Sequence, residues 1–209
     1  MDRGNVPNDE RDSEAALPPT REFLQRIEAQ AAQLRYRAGV GPLDRLDPRQ
    51  VADRLDLTIA TPDDIQAMAP DERANVEAMS PKIWSGSELP LPDGHLLVLL
   101  NPSQTPERAN VTVLEEAAHD HLGHEPTSID TSTSGVPKRT YNARNEQEAY
   151  WTAAAALLPS KAVALAVYKE QSACDLAAAY GVSVELAEFR IKITGLWRHY
   201  AKYAAHKGV

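Results

Sequence analysis

The sequence predicts an α+β fold: a small, largely antiparallel sheet with helices around it, followed by a C-terminal helical subdomain. Three features predict this. Apolar residues recur at helical spacing on both sides of the chain's centre. The β-type runs are confined to residues 57–100 and are punctuated by Gly- and Pro-containing turns. Near the end, residues 173–193 spell a helix, a tight turn and a second helix.

Residues 1–19 are polar and charged and close on Pro18-Pro19, the composition of a disordered leader outside the fold. Thr20 caps a helix whose Phe23, Leu24, Ile27, Ala31 and Leu34 share one face, and Gly39 to Pro42 ends it. Asp47-Pro48-Arg49-Gln50 has a cap residue, a proline at the first helical position and Gln at the third, so a short helix carrying Val51, Ala52 and Leu55 follows. Leu57–Ala60 reads as a strand, as does Lys82–Trp84, with Ser85-Gly86-Ser87 a turn. A turn at Pro92-Asp93-Gly94 leads into His95–Leu100, the strongest strand signal in the chain. Asn101-Pro102 stops that strand; Thr105-Pro106-Glu107 starts a helix and Gly123 ends it.

Residues 125–142 are rich in Ser, Thr, Pro and Gly and read as a loop. Residues 144–158 form a helix stopped by Pro159, and Ser160 caps the next, to about residue 171. Ala173–Tyr180, Gly181-Val182-Ser183 and Val184–Ile193 make the final helix, turn and helix, with Ser183 as cap. The chain is thus expected to divide into a leader (1–19), a main domain (20–159) and a helical subdomain (160–209).

Composition narrows the function. A charge of −8 over 209 residues argues against a protein whose main task is to coat nucleic acid. The longest apolar runs fall far short of the ~20 residues that span a bilayer, and the N-terminus lacks a signal-peptide pattern, so a cytoplasmic protein without membrane contact is expected. With Cys174 the single cysteine, any metal must be held by His and carboxylates.

The chemistry concentrates in Thr112–His124, which holds three of the six histidines. Glu115-Glu116-Ala117-Ala118-His119 differs by one residue from the zinc-peptidase pattern His-Glu-x-x-His. Glu115 and His119, four apart, project from one helix face and can reach one ion, or can form an ordinary surface ion pair. Glu116 occupies the position of the base that deprotonates the metal-bound water. A third ligand would come from another helix, with Glu146 and Glu148 as candidates. His121 and His124 form a rival set with His119, but residues two apart on a helix point in different directions.

Four stretches in order resemble the ImmA/IrrE family of metallopeptidases. Leu99-Leu100-Asn101 with Arg108, then Thr112–His119, is similar to that family's strand, Arg and Thr-Leu-Ala-His-Glu-Leu-Gly-His. Glu146-Gln147-Glu148-Ala149 and Ala156-Leu157-Leu158-Pro159 are similar to its later Glu-x-x-Ala helix ending in Leu-Leu-Met-Pro; Ala178–Ser183 resembles its closing Ala-x-x-Phe-x-Val-Ser. The resemblance covers residues 21–195. It implies a zincin-like domain of gluzincin type with the motif helix at its centre. Carried over, it makes Glu115, His119 and Glu146 metal ligands, with Glu148, His121 and His124 as alternates, and Glu116 the catalytic base.

The implied cofactor is zinc, or manganese or iron, which suit a carboxylate-rich set better. Two carboxylates and one imidazole cancel the charge of a divalent ion, so its water would be less acidic and hydrolysis slower or absent. The implied activity is limited proteolysis of a helix-turn-helix repressor in a stress or mobile-element circuit. The alternative is a catalytically weak or inactive relative acting as a protein-binding regulatory module. A third reading, a DNA-binding regulator built on the closing helix pair, is opposed by Glu185 and Glu188 on the early turns of the second helix and kept open by the basic tail 198–207. His95–Leu100 can be a core strand or, as the resemblance implies, a strand whose backbone pairs with an extended substrate.

Overall fold

The computed structural model describes residues 19–65, 69–78, 85–124, 129–130, 138–139 and 142–207. The expected leader lies outside them except for Pro19, and so does the expected strand Lys82–Trp84. Helix α1 spans Arg21–Arg37; Thr20 Oγ1 accepts from Phe23 N at 3.1 Å, and Ile27, Ala31 and Leu34 are buried. Helix α2, Pro48–Val51, starts at the Asp47 cap and runs on as a 3₁₀ turn over Ala52–Leu55. Strand β1 is Leu57–Ala60.

Helix α3, Pro70–Glu77, has no counterpart in the sequence reading, because it lacks a continuous apolar face. Strand β2, Gly86–Pro90, corrects the turn expected at Ser85–Ser87. Gly86 is there for space: a Cβ on it would lie 2.5 Å from Thr112 Cγ2 and 3.2 Å from Leu99 O, so only glycine lets β2 approach the motif helix.

Strand β3, Leu96–Leu100, lies between the other two. It runs parallel to β1, with Val98 opposite Ile59, and antiparallel to β2, with Val98 opposite Glu88. Both its edges are therefore occupied, which corrects the expectation that its backbone could pair with a substrate. Val98 and Leu100 are buried, as a core strand requires. The motif helix α4, Pro106–Leu122, packs against β3 and β2. Within the expected loop 125–142, β4 (Ile129–Asp130) pairs antiparallel with β5 (Lys138–Arg139), so two of the three strand pairings among the described residues are antiparallel.

Helix α5, Ala143–Leu157, is capped by Asn142 and packs against both α1 and α4. Its run Ala153–Ala156 is fully enclosed; with no side chain beyond Cβ, these residues let the neighbouring helices come close. Helix α6 is Ser160–Tyr168, with Pro159 rather than Ser160 at the cap position, because the Ser160 N–H donates to Glu28 Oε2 at 3.2 Å. Helices α7 (Ala173–Tyr180) and α8 (Val184–Ile193) pack together through Leu176, Val182 and Leu186, and the Phe189 ring lies 5.1 Å from Trp151. The basic tail forms α9, Trp197–Lys207. Buried apolar residues from Ile27 to Ala204 form one cluster. Arg190 is wholly enclosed; it donates to Leu158 O at 2.9 Å and pairs with Glu28, tying α8 to α1 and to the end of α5.

Candidate functional site

Helix α4 presents its chemistry because its other face is committed to the core: Val111, Thr112, Val113, Leu114, Ala117 and Ala118 are buried. Thr105 caps its start and Gly123, at φ +67°, ends it. That left-handed residue turns the chain so that His124 folds back onto the last turn, its N–H donating to His119 O at 3.0 Å.

The result is a chain of four side chains. His119 Nε2 lies 3.9 Å from Glu146 Oε2; His119 Nδ1 lies 3.0 Å from His124 Nδ1; His124 Nε2 lies 4.0 Å from Glu148 Oε2. The contact between the two Nδ1 atoms requires one proton, donated by one ring and accepted by the other. Each ring thereby turns its Nε2 towards a carboxylate. Glu148 also accepts from Arg26 Nε at 3.0 Å, which fixes α5 to α1. Burial pushes the His124 pKa down, against the opposing pull of Glu148.

Of the two ligand candidates on α5, Glu148 is more enclosed than Glu146, at 17% against 30% side-chain exposure. His124 is 10% exposed and touches His119. His121 points elsewhere: its Nε2 meets Gln30 Oε1 at 3.1 Å and its Nδ1 meets Arg37 Nη1 at 3.4 Å. Burial and the Arg37 charge lower its pKa. The rival His119, His121, His124 set is therefore split between two sides of α4.

Glu115 is the decisive side chain. Burial pushes its pKa up to about 7; Arg108 opposes the rise and Glu146 adds to it. Tyr150 shares this environment: burial first, and then the Glu115 charge, raise its pKa. Glu116, the next residue, is half-buried. Sequence reasoning missed Tyr150 and Arg26, since neither sits at a motif spacing, and Arg26 is 122 positions from its partner.

Residues 72–192 match the IrrE N-terminal-like domain. The chain belongs to this family. No match is found among curated proteins. Among solved structures, a Mycobacterium tuberculosis transcriptional regulator is similar at 13% identity with a TM-score of 0.42, over 80% of this chain and 46% of that one. The chain thus spans less than half of that protein's length. Among the described residues, no helix of this IrrE-type domain is long and apolar enough to cross a membrane.

IrrE-type domains are ordinarily metal-dependent, and a zinc centre needs three or more donors within about 2.0–2.3 Å of one point. Among the described residues, no three His, Cys, Asp or Glu side chains are grouped in that way. Glu146, His119, His124 and Glu148 follow one another through pairwise contacts, and the two Nδ1 atoms face each other. Among the described residues, Glu115, His119 and Glu146 are not drawn together into a three-ligand centre.

The Glu115 shift has a thermodynamic consequence. A carboxyl whose pKa rises from the ordinary 4.5 to about 7 on folding is held protonated more tightly by the folded state. Its contribution to stability is complete below about pH 4.5 and is lost as pH rises through about 7. Urea unfolding at pH 5 and pH 8 should show this chain losing about 2 kcal/mol more than Glu115→Gln, which has no proton to lose. Equal losses would place Glu115 in water.

Proposed function

We propose that this IrrE-type domain is a protein-binding regulatory module that engages its partner without metal-dependent hydrolysis. The observation that carries this reading is Glu115. In the place of the family's first ligand histidine stands a carboxyl largely withdrawn from water, and on the same helix His119 already meets His124 through their Nδ1 atoms. The proposed partner is a helix-turn-helix repressor, which the family resemblance supports. The acidic early turns of α8 and the burial of its apolar face favour a protein partner over direct DNA binding.

A second reading has one observation in its favour. The two residues that the resemblance pairs as ligands, His119 and Glu146, do meet, at 3.9 Å. In that reading the domain is a metallo-endopeptidase in which Glu115, His119 and Glu146 would hold zinc, manganese or iron and Glu116 would act as base. Co-expression with a candidate helix-turn-helix repressor separates the two. Regulatory binding predicts that intact repressor co-purifies equally with the natural chain and with Glu116→Gln. Cleavage by the natural chain that Glu116→Gln abolishes would establish the peptidase instead.

A further inference from the structure

Away from the motif helix, a cavity of about 650 Å³ opens between the C-terminal half of α1, the turn that follows it and the start of α6. Its size is that of a small-molecule site. Ala31, Ala32, Val40, Pro42, Ala155 and Pro159 give it apolar walls, and Tyr36, 87% exposed, stands at its margin.

Its charged lining is unusual in kind. Arg35 lines the cavity yet is only 3% exposed. Its guanidinium donates to Ala156 O at 2.5 Å, to Asp44 O at 2.5 Å and to Gly41 O, all neutral carbonyls, and its Nε has no hydrogen-bond partner. Among the described residues it forms no direct ion pair; Asp44 and Tyr180 act on it only at longer range. A buried cation without a partner anion is costly to maintain. The one carboxylate in the wall, Glu28, is already committed to Arg190 and to the Ser160 N–H. The same wall contains the start of α6, where Pro159 offers no side-chain cap and Glu28 holds the Ser160 N–H, and the exposed Lys161. Helix N-termini carry partial positive charge.

We propose that this cavity binds an organic carboxylate with an apolar body, the anion set between Arg35, Lys161 and the start of α6 and the body against the alanine and proline walls. This site stands independently of the motif helix. A free amphipathic acid and the C-terminal carboxylate of an apolar peptide share this chemistry, and two probes distinguish them: decanoate against decanol, and a short peptide ending in Ala-Leu as the acid against its amide.

Calorimetric titration of the full chain should show at least one of the two acids binding, and binding about tenfold or more tighter than its neutral counterpart. Ala32→Trp, which fills the cavity from an exposed position on α1, should abolish binding. Lys161→Glu should weaken it about tenfold. Neither change lies in the core, and unchanged unfolding curves would verify that both variants fold. Whichever acid binds identifies the source. Equal affinity for acid and neutral probe, binding retained in both variants, or no binding by either acid would overturn the proposal.

Discussion

Replacing Glu115 by histidine should tighten zinc binding relative to the natural chain by on the order of 100-fold, or ~2.7 kcal/mol. At pH 7 the natural side chain is divided between its protonated and ionised forms, because burial disfavours its charge and Glu146 lies close enough to repel it. An ion binding there must first displace that proton. An imidazole at the same position is a neutral donor, four residues from His119 on the same helix face, and it restores the His-Glu-x-x-His pattern with Glu116 in second place. Zinc titration of the two proteins side by side measures the difference. Equal affinities would mean that position 115 does not limit the site.

Glu28→Ala should lower stability by about 3–5 kcal/mol, the largest effect expected of any single truncation here. Arg190 is enclosed, and burial depresses its pKa while Glu28 opposes that shift. Removing Glu28 leaves a guanidinium in the core with only Leu158 O as acceptor among its described partners, and deprives the Ser160 N–H of its acceptor as well. Replacing both members, Glu28→Leu with Arg190→Met, should cost less than the single change, since no unpaired charge remains. Urea unfolding of the natural chain and the two variants tests this. A double variant less stable than Glu28→Ala would show that the pair contributes through more than charge compensation.

Much of this fold is legible along the chain because its helices are bounded by local chemistry. Thr20, Asp47, Thr105, Ser172 and Ser183 each accept a backbone N–H at a helix start, and Gly123 and Gly181 end helices in the left-handed conformation. Such signals act within four residues, so sequence reveals them. Helix α3 is not legible, since it has no apolar stripe. The turn expected at Ser85–Ser87 failed for a different reason: Gly86 serves a close approach to Thr112, a constraint set by an element 26 positions away.

The site divides in the same way. The Glu115–His119 spacing follows from helical periodicity. The approach of Glu146 to His119 and the hold of Arg26 on Glu148 depend on how α1, α4 and α5 stack, whereas the turning-in of His124 follows from the local cap at Gly123. The alanines of α5 that permit this stacking read in sequence only as good helix formers. The raised pKa of Glu115 is likewise a property of enclosure rather than of any motif.

The most direct test of the functional reading is the metal content of the natural chain. The protein is purified without chelators, analysed for zinc, manganese and iron, and then titrated with zinc at pH 7. A regulatory module with a proton-holding Glu115 predicts no stoichiometric metal on purification and no saturable uptake below millimolar zinc. One tightly bound equivalent, present as purified or taken up on titration and lost in Glu115→Gln, would contradict it and assign the domain to metal-dependent hydrolysis.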